Sequence, residues 1–551
     1  MATTGHKNES INVGGLKASL QSLKSTYIDN TVWTTSQSLT VAQKDQAVSN
    51  ILDKTDTSGM KRIVLKKSDN FKTKVEEQTG GNTIFVIKYD YTLSSNITVP
   101  ANCILEFDGG SISGNGTGKD TLTGNFDIKS PLVRIFKNCK LSDYNHPLHS
   151  KWFCIADGVT DDADNLQCLF DSGVNFIIDE GTHRFTKSLV LSSYIQIYGN
   201  SPFSKYTDCC LFFDSNGTPD EALRFNRYET SPYITLKGVH FVGKRNSNNS
   251  YGYYNDTKCI VTSQTNVLAS CLEVEDCYFE NFDCVFYSNS NSYYNSFHRI
   301  RCYSFGIVFK GFDPNNFRVT ESRISNGKNV FMFDSATGGD GPITIDRNCF
   351  EGFHGNLISV LGITIGKLNF TNNYVEVDSA NEPASNENYM FYIASNNVRS
   401  LYIANNNFQI NSVFRFIQAS VKDSFISIGN DIRFSLTKTK VNLLYYLTSL
   451  PSMSTIIIND NFAESAETAG EGYGAYTKDM STNAFDIPAN CIFSVIDPVR
   501  KKLCYPLRKA GATAYRPTDI NVIGYEYFDT TLGKPIYWTG VKWVKADGTD
   551  A

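Results

Sequence analysis

The middle of this chain repeats one short pattern: an apolar residue, a polar stretch, then a second apolar or aromatic residue five places on. It reads Ile345-Asp-Arg-Asn-Cys-Phe350, Phe370-Thr-Asn-Asn-Tyr-Val375, Ile403-Ala-Asn-Asn-Asn-Phe408 and Ile457-Ile-Asn-Asp-Asn-Phe462. Earlier copies are Leu236 to Phe241, Val274 to Phe279, Ile300 to Phe305 and Val319 to Ile324. First anchors are separated by 38, 26, 19, 26 and 25 residues up to Phe370, then 33 and 54; a degenerate copy at Ile428 splits the last gap into 25 and 29. A period near 25 with strand-like content is the signature of a solenoid.

Each copy reads as strand, tight turn, strand. Side chains alternate faces along a strand. Leu272 and Val274 therefore share one face, and Glu273 and Glu275 the other. Turns are predicted at Asn373, Asn406 and Asp460, because Asn and Asp tolerate left-handed backbone angles. No stretch of the repeats sustains helical spacing of apolar residues. The predicted fold is all-β: a right-handed parallel β-helix, with a short helical N-terminal region and a small β-rich C-terminal module. A solenoid also accommodates 551 residues, since each coil needs only its neighbours.

Four regions are predicted. Residues 1–60 form an attachment or oligomerisation region, with weak amphipathic helices at Gly15–Ser25 and Leu39–Ile51, the latter capped by Thr40. Residues 61–150 form a strand-rich N-terminal part of the β-helix, 151–465 the main β-helix, and 466–551 a β-rich module with strands on both sides of Thr539-Gly540. Within Asp157-Gly-Val-Thr-Asp-Asp-Ala-Asp-Asn-Leu-Gln167, residues Thr160, Asp161 and Asp162 read as caps of a helix that buries Leu166, Leu169 and Phe170.

Charge and composition exclude several functions. A net charge of −5 gives no electrostatic footprint for nucleic acid. No apolar run of 18 residues exists, so no membrane insertion is predicted. The polar amino terminus has no secretory leader pattern. The 14 cysteines show no metal spacing, and the seven histidines do not cluster in sequence. No metal and no cofactor are predicted; cysteines inside repeats read as small apolar core groups.

Three segments carry a resemblance. Asp157–Gln167 resembles the DGxTDDTxAxQ motif of pectate-lyase-superfamily β-helices, departing from it at Ala163 and Asn165. Leu39–Ile51 is similar to sequences near the amino ends of bacteriophage tail fibres. Arg516-Pro517, Tyr527–Gly540 and Trp543 resemble the carboxyl-terminal module of fibres and spikes from phages of gut anaerobes. The resemblance implies a tailspike or tail-fibre protein. Such a protein is a homotrimer on a virion, made in the host cytoplasm and joined to tail or baseplate proteins through its N-terminal region. It recognises bacterial surface polysaccharide and in some cases depolymerises it; a non-enzymatic structural fibre or adhesin is the alternative. A secreted bacterial lyase fits less well, given the amino terminus.

The candidate catalytic carboxylates are Glu275, Glu321, Asp346 and Glu351. Outward residues flanking the first anchors are predicted to stack as Glu273/Glu275, Arg299/Arg301, Arg318/Thr320 and Thr344/Asp346. That leaves Glu275 and Asp346 three coils apart, roughly 14 Å at the strand spacing, beyond the about 5–9.5 Å of glycosidase pairs. Glu275 beside Arg301 reads as an ion pair. Candidate carbohydrate-binding residues are Tyr251, Tyr253, Tyr254, Tyr293 and Tyr294, in loops rich in Asn and Ser, because tyrosine offers a flat apolar face with a polar tip.

Overall fold

The structure, a computed structural model, describes residues 59–115, 120–191, 195–199, 209–225, 234–262, 272–288, 294–311, 315–334, 341–377, 389–410, 415–434, 445–448, 454–464, 492–496, 503–504, 509–516, 523–524 and 526–551. The helices predicted at Gly15–Ser25 and Leu39–Ile51 lie outside these residues, as does Tyr293.

The chain winds as a three-sided, right-handed parallel β-helix, the hand that parallel crossovers adopt. Three sheets can be traced by register. The first stacks Gln196–Gly199, Ile234–Lys237, Leu272–Glu275, Ser296–His298, Phe317–Thr320, Pro342–Asp346 and Ile365–Thr371. The second stacks Cys209–Phe213, His240–Gly243, the start of Tyr278–Ser288, and so on through Cys349–Phe353, Tyr374–Val377 and Asn407–Ile410. The third runs through Leu189–Leu191, Glu221–Phe225 and the C-terminal halves of the strands Tyr254–Thr262, Tyr278–Ser288, Arg301–Lys310 and Arg323–Phe333. Upstream, three smaller parallel sheets between Lys61 and Ser142 pair in the same way, Lys61–Val64 on Thr83–Ile87 being the first.

One continuous core runs from Leu65 to Ile458. Equivalent phenylalanines stack from coil to coil: Phe241 on Phe279, centroids 5.0 Å apart and 3° between planes, and Phe286 on Phe309 on Phe331 at 5.1 and 5.0 Å. In most copies both anchors face this core, and Ile345, Phe350, Phe370, Val375, Ile403 and Phe408 are all fully buried. The copy predicted at Ile300 to Phe305 is shifted, because the register places Phe297 and Cys302 opposite Val274 and Phe279 and leaves Ile300 in the turn.

The turn between first and second sheets differs from the sequence expectation. Asn373 and Asn406 are not the left-handed residues. That conformation falls one position earlier, at Asp276, Arg299, Glu321, Arg347, Asn372, Asn405 and Gly429. The following residue points inward, and from Ser322 onward it is polar and buried. Asn348, Asn373, Asn406, Asn430 and Asp460 form a ladder. Each asparagine Nδ2 donates to the Oδ1 of the next rung, at 3.0, 3.0, 2.8 and 2.8 Å, and to a backbone carbonyl. Each Oδ1 also accepts the backbone N–H of the preceding rung; Asn373 N donates to Asn406 Oδ1 at 2.8 Å. The asparagine is thus a buried connector, and its neighbour supplies the bend.

Two register details also differ. The copy predicted at Ile428 places Ser427 inward instead, opposite Ile403 and bonded to Asp460. In the last copy the buried anchor is Ile458, because the turn from Asn459 to Asn461 is one residue shorter than the turn from Ile428 to Asp431 on its partner strand.

The helix Ala163–Asp171 buries Leu166, Leu169 and Phe170 against the core, as its spacing predicts. Its N-cap residue is Asp162, but that carboxylate does not cap it. It accepts N–H bonds from Ile155 and Ala156, both at 3.0 Å, while Asp161 accepts from Ala163 N at 3.1 Å. After the solenoid, Lys509–Gly511, Glu526–Asp529, Lys534–Trp538 and Trp543–Lys545 form a separate sheet around Tyr527, Ile536 and Trp543. Its two hairpins include the strands predicted around Thr539-Gly540. Among the described residues no helix is long and apolar enough to cross a membrane.

Candidate functional site

Three of the four candidate carboxylates come together on one ridge, at the turn between first and second sheets. The register corrects their neighbours: Glu273 and Glu275 are followed by Ser296 and His298, not Arg299 and Arg301, then by Arg318/Thr320 and Thr344/Asp346. Arg299 lies in the turn and pairs with Glu275 and, at 2.6 Å, with Asp276. Lys237 holds the other oxygen of Glu275 at 2.8 Å. Farther along, Arg347 bridges Glu321 at 3.2 Å and Asp346 at 3.0 Å. Thr371 and Asn372 complete the shell of Asp346 at 2.7 and 2.8 Å.

These contacts fix the electrostatics. The Lys237 hydrogen bond holds the Glu275 carboxyl below its ordinary range. Burial pushes the Asp346 carboxyl up, but hydrogen bonds from Thr371, Asn372 and Arg347 outweigh it and leave it low. Both groups are therefore firmly ionised acceptors, which suits a structural ion-pair network better than proton donation. A depressed folded-state pKa adds stability above the unfolded value and loses it as pH falls. Thermal unfolding midpoints are expected to drop as pH is lowered from about 5 to about 3, and Asp346→Asn is expected to flatten that slope. An unchanged slope in the variant contradicts the assignment.

The fourth candidate, Glu351, lies on the outer face of the second sheet. Its direct register partner in the next coil is Glu376. Residues in register on adjacent parallel strands are about 4.8 Å apart, so the two carboxylates belong to one closely spaced row. Arg323 donates to Glu351 at 2.8 and 3.2 Å, and Tyr374 Oη donates to Glu376 at 2.8 Å. Gln409 extends the row on the next strand, and Ser325 and the half-exposed Tyr303 precede it. Glu376 was legible in the sequence. It follows the second anchor Val375 as Glu351 follows Phe350, but attention to the residues flanking the first anchor passes it by. Glu280 occupies the same row earlier; burial raises its carboxyl pKa, partly offset by the Tyr278 hydroxyl at 3.0 Å.

The outer face of the first sheet holds an open groove of about 550 Å³, lined by Thr344, Lys367, Asn369, Thr371, Ser400, Leu401, Tyr402, Ser424 and Ile426. Thr344, Asn369 and Tyr402 stand in register on successive coils, and Lys367, Ser400 and Ser424 form a parallel row two positions before them. Lys367 Nζ lies 5.9 Å from the centre of the Tyr402 ring. The groove is a rigid row of hydroxyl and amide groups around one aromatic face. No sequence reasoning singled it out, because its residues gather only through register.

The tyrosine loops are placed as follows. Tyr253 is buried. Tyr251 stacks on it at 6.1 Å and meets the His354 ring at 5.7 Å with a tilt of 54°, so this loop lies along the solenoid across several coils. Tyr254 opens a strand opposite Phe282. Tyr294 is 56% exposed, in a left-handed conformation, with its N–H on the Asn315 carbonyl at 3.0 Å.

Among the described residues one cluster has the donor set to hold a metal ion. A donor atom from each of Cys154, Asp162 and His183 lies within 4.8 Å of the others. Burial pulls the His183 pKa down to about 4 and pushes the Cys154 thiol well up. Spacing along the sequence did not reveal this trio, because its members come from three separate segments.

Scanned against protein-family models and against curated proteins, the sequence matches none. Among solved structures it is similar to tailspike protein 3 of bacteriophage CBA120. The identity is 14%, over 74% of this chain and 70% of that one, with a TM-score of 0.31. A likeness this loose carries no argument about function; the β-helix rests on the registers above.

Proposed function

We propose that this chain is a receptor-binding spike or fibre of a bacteriophage tail, and that the groove around Tyr402 holds bacterial surface polysaccharide. The observation that carries the reading is the groove itself. Sugar rings present hydroxyls on their edges and C–H groups on their faces. A row of Thr, Asn and Ser side chains answers the first, and the Tyr402 ring answers the second. Parallel strands repeat these groups about every 4.8 Å, which lets several residues of a polymer lie along the axis. The sequence resemblances at Leu39–Ile51, Asp157–Gln167 and the C-terminal module support a place on a virion, as a homotrimer joined to the tail through residues 1–60.

Tyr402→Ala is expected to weaken binding of host-surface oligosaccharide about tenfold, a loss of about 1.4 kcal/mol. Titration calorimetry measures it. An unchanged affinity for every glycan the wild type binds sinks the assignment of the groove. A stable monomer by mass measurement removes the trimer.

A second reading adds cleavage of the bound glycan. The specific observation favouring it is the Glu351–Glu376 pair, whose register spacing fits the about 5–5.5 Å between carboxyl groups of retaining glycosidases. In that reading one glutamate attacks the anomeric carbon. The other gives its proton to the leaving oxygen and later takes one from water. In that reading Glu351, paired with Arg323, is the nucleophile, and Glu376, beside the Tyr374 hydroxyl, is the acid.

A further inference from the structure

Three buried side chains converge where the long solenoid begins. Cys154 follows the short turn Ser150–Trp152, Asp162 precedes the helix Ala163–Asp171, and His183 lies in the strand Gly181–Phe185. They are 1%, 0% and 0% exposed, and a sulfur, a carboxylate oxygen and a ring nitrogen lie within 4.8 Å of one another.

Their hydrogen bonds leave donor atoms over. Asp162 takes one backbone N–H on each oxygen, from Ile155 and Ala156, so each oxygen keeps a lone pair. His183 Nε2 meets the Ser150 hydroxyl at 3.0 Å and the Asp179 carbonyl at 3.3 Å. A carbonyl oxygen only accepts, so this contact assigns the proton to Nε2 and a lone pair to Nδ1. Nδ1 is buried and meets no hydrogen-bond partner. Among the described residues no hydrogen bond engages the Cys154 thiol, and it forms no disulfide. Buried polar groups are normally satisfied. Two adjacent residues, each with an unused donor atom beside a carboxylate, call for something that accepts electron pairs.

We propose that Cys154, Asp162 and His183 bind a zinc ion. Sulfur, imidazole nitrogen and carboxylate oxygen are the ligand types that zinc takes, at roughly 2.0–2.3 Å. The surroundings match what metal ligands need around them. The other imidazole nitrogen donates to a backbone carbonyl, and backbone N–H groups fix the carboxylate. On binding, the sulfur–hydrogen bond of Cys154 breaks, the proton leaves to solvent, and the thiolate electron pair enters the metal. The ion ties together the loop before the helix, the helix start and the strand at Gly181–Phe185. It would therefore lock the first coil of the solenoid rather than take part in glycan chemistry.

The test uses the full chain, expressed with added zinc and purified without chelator. Elemental analysis is expected to find about one zinc per chain, the occupancy of a structural site. Exchange into cobalt is expected to give the intense near-ultraviolet band of a thiolate–cobalt bond. Cys154→Ser is expected to abolish that band and at least halve the metal content, while Cys259→Ser, at a buried cysteine elsewhere in the core, leaves both intact. His183→Gln is expected to lower metal content without removing the thiol. Cobalt titration of the wild type decides the matter even if a variant fails to fold. Zinc far below stoichiometry, no thiolate band in the wild type, or equal metal in the wild type and Cys154→Ser overturns the proposal.

Discussion

Replacing Asn406 with leucine is expected to destabilise the protein by about 3–5 kcal/mol, the cost of stranding several buried polar groups. Leucine has nearly the same volume, so the change removes hydrogen bonds and leaves little cavity. The Asn406 side chain donates to Phe370 O at 2.9 Å and Asn430 Oδ1 at 2.8 Å. It accepts from Asn373 N at 2.8 Å and Asn373 Nδ2 at 3.0 Å. All of these groups are buried within one ladder, where water cannot replace the lost partner. Neighbouring rungs are coupled, so Asn373→Leu combined with Asn406→Leu is expected to cost less than the sum of the two. Guanidinium unfolding measures both. Gln409→Ala, on the outer face of the neighbouring sheet, is expected to change stability by less than about 0.5 kcal/mol. A loss for Asn406→Leu no greater than for Gln409→Ala contradicts the ladder as a source of stability.

The second large effect concerns cleavage. Glu376→Gln and Glu351→Gln are each expected to lower the release of new reducing ends from host polysaccharide by about 10²–10⁴-fold, the usual contribution of a positioned acid or base. Binding is expected to persist in both variants, since the groove lies on another face. Products are expected to keep their anomeric configuration, as the close spacing of the pair requires. Asp346→Asn, which removes a carboxylate held by three hydrogen bonds, is expected to leave cleavage within a few-fold of wild type. If the wild type binds the glycan and releases no new ends, the protein is a non-enzymatic adhesin, and the glutamate row is part of a polar surface.

How much of this was readable in the sequence depends on which face a residue takes. Anchors such as Ile345 and Phe350 were legible because inward positions are under packing constraint, and the alternation exposes them. The ladder was half legible. Asn373 and Asn406 stood out, but as turn formers, because no rule read from one copy says which of two adjacent asparagines bends and which points inward. Only stacking separates Asn372 from Asn373. The pairing of Glu275 with Arg299 was missed because a two-residue turn moves Arg299 off the strand. Ser427 displaced Ile428 for a related reason: the buried polar ladder accepts a serine that reaches Asp460. The outer-face sites were least legible. Tyr402 lies beside Asn369 and Lys367 beside Ser400 only after gaps of 33 residues are folded into one register. The trio Cys154, Asp162 and His183 has no periodic signal at all.

The most direct test of the central claim is a structure of the protein with an oligosaccharide from its host's surface bound. The expected result is sugar density along the first sheet, with a ring against Tyr402 and hydroxyls within hydrogen-bond reach of Asn369, Ser400 and Ser424. Sugar seated elsewhere, at the exposed Tyr294 for example, with this groove bare at saturating ligand, contradicts it.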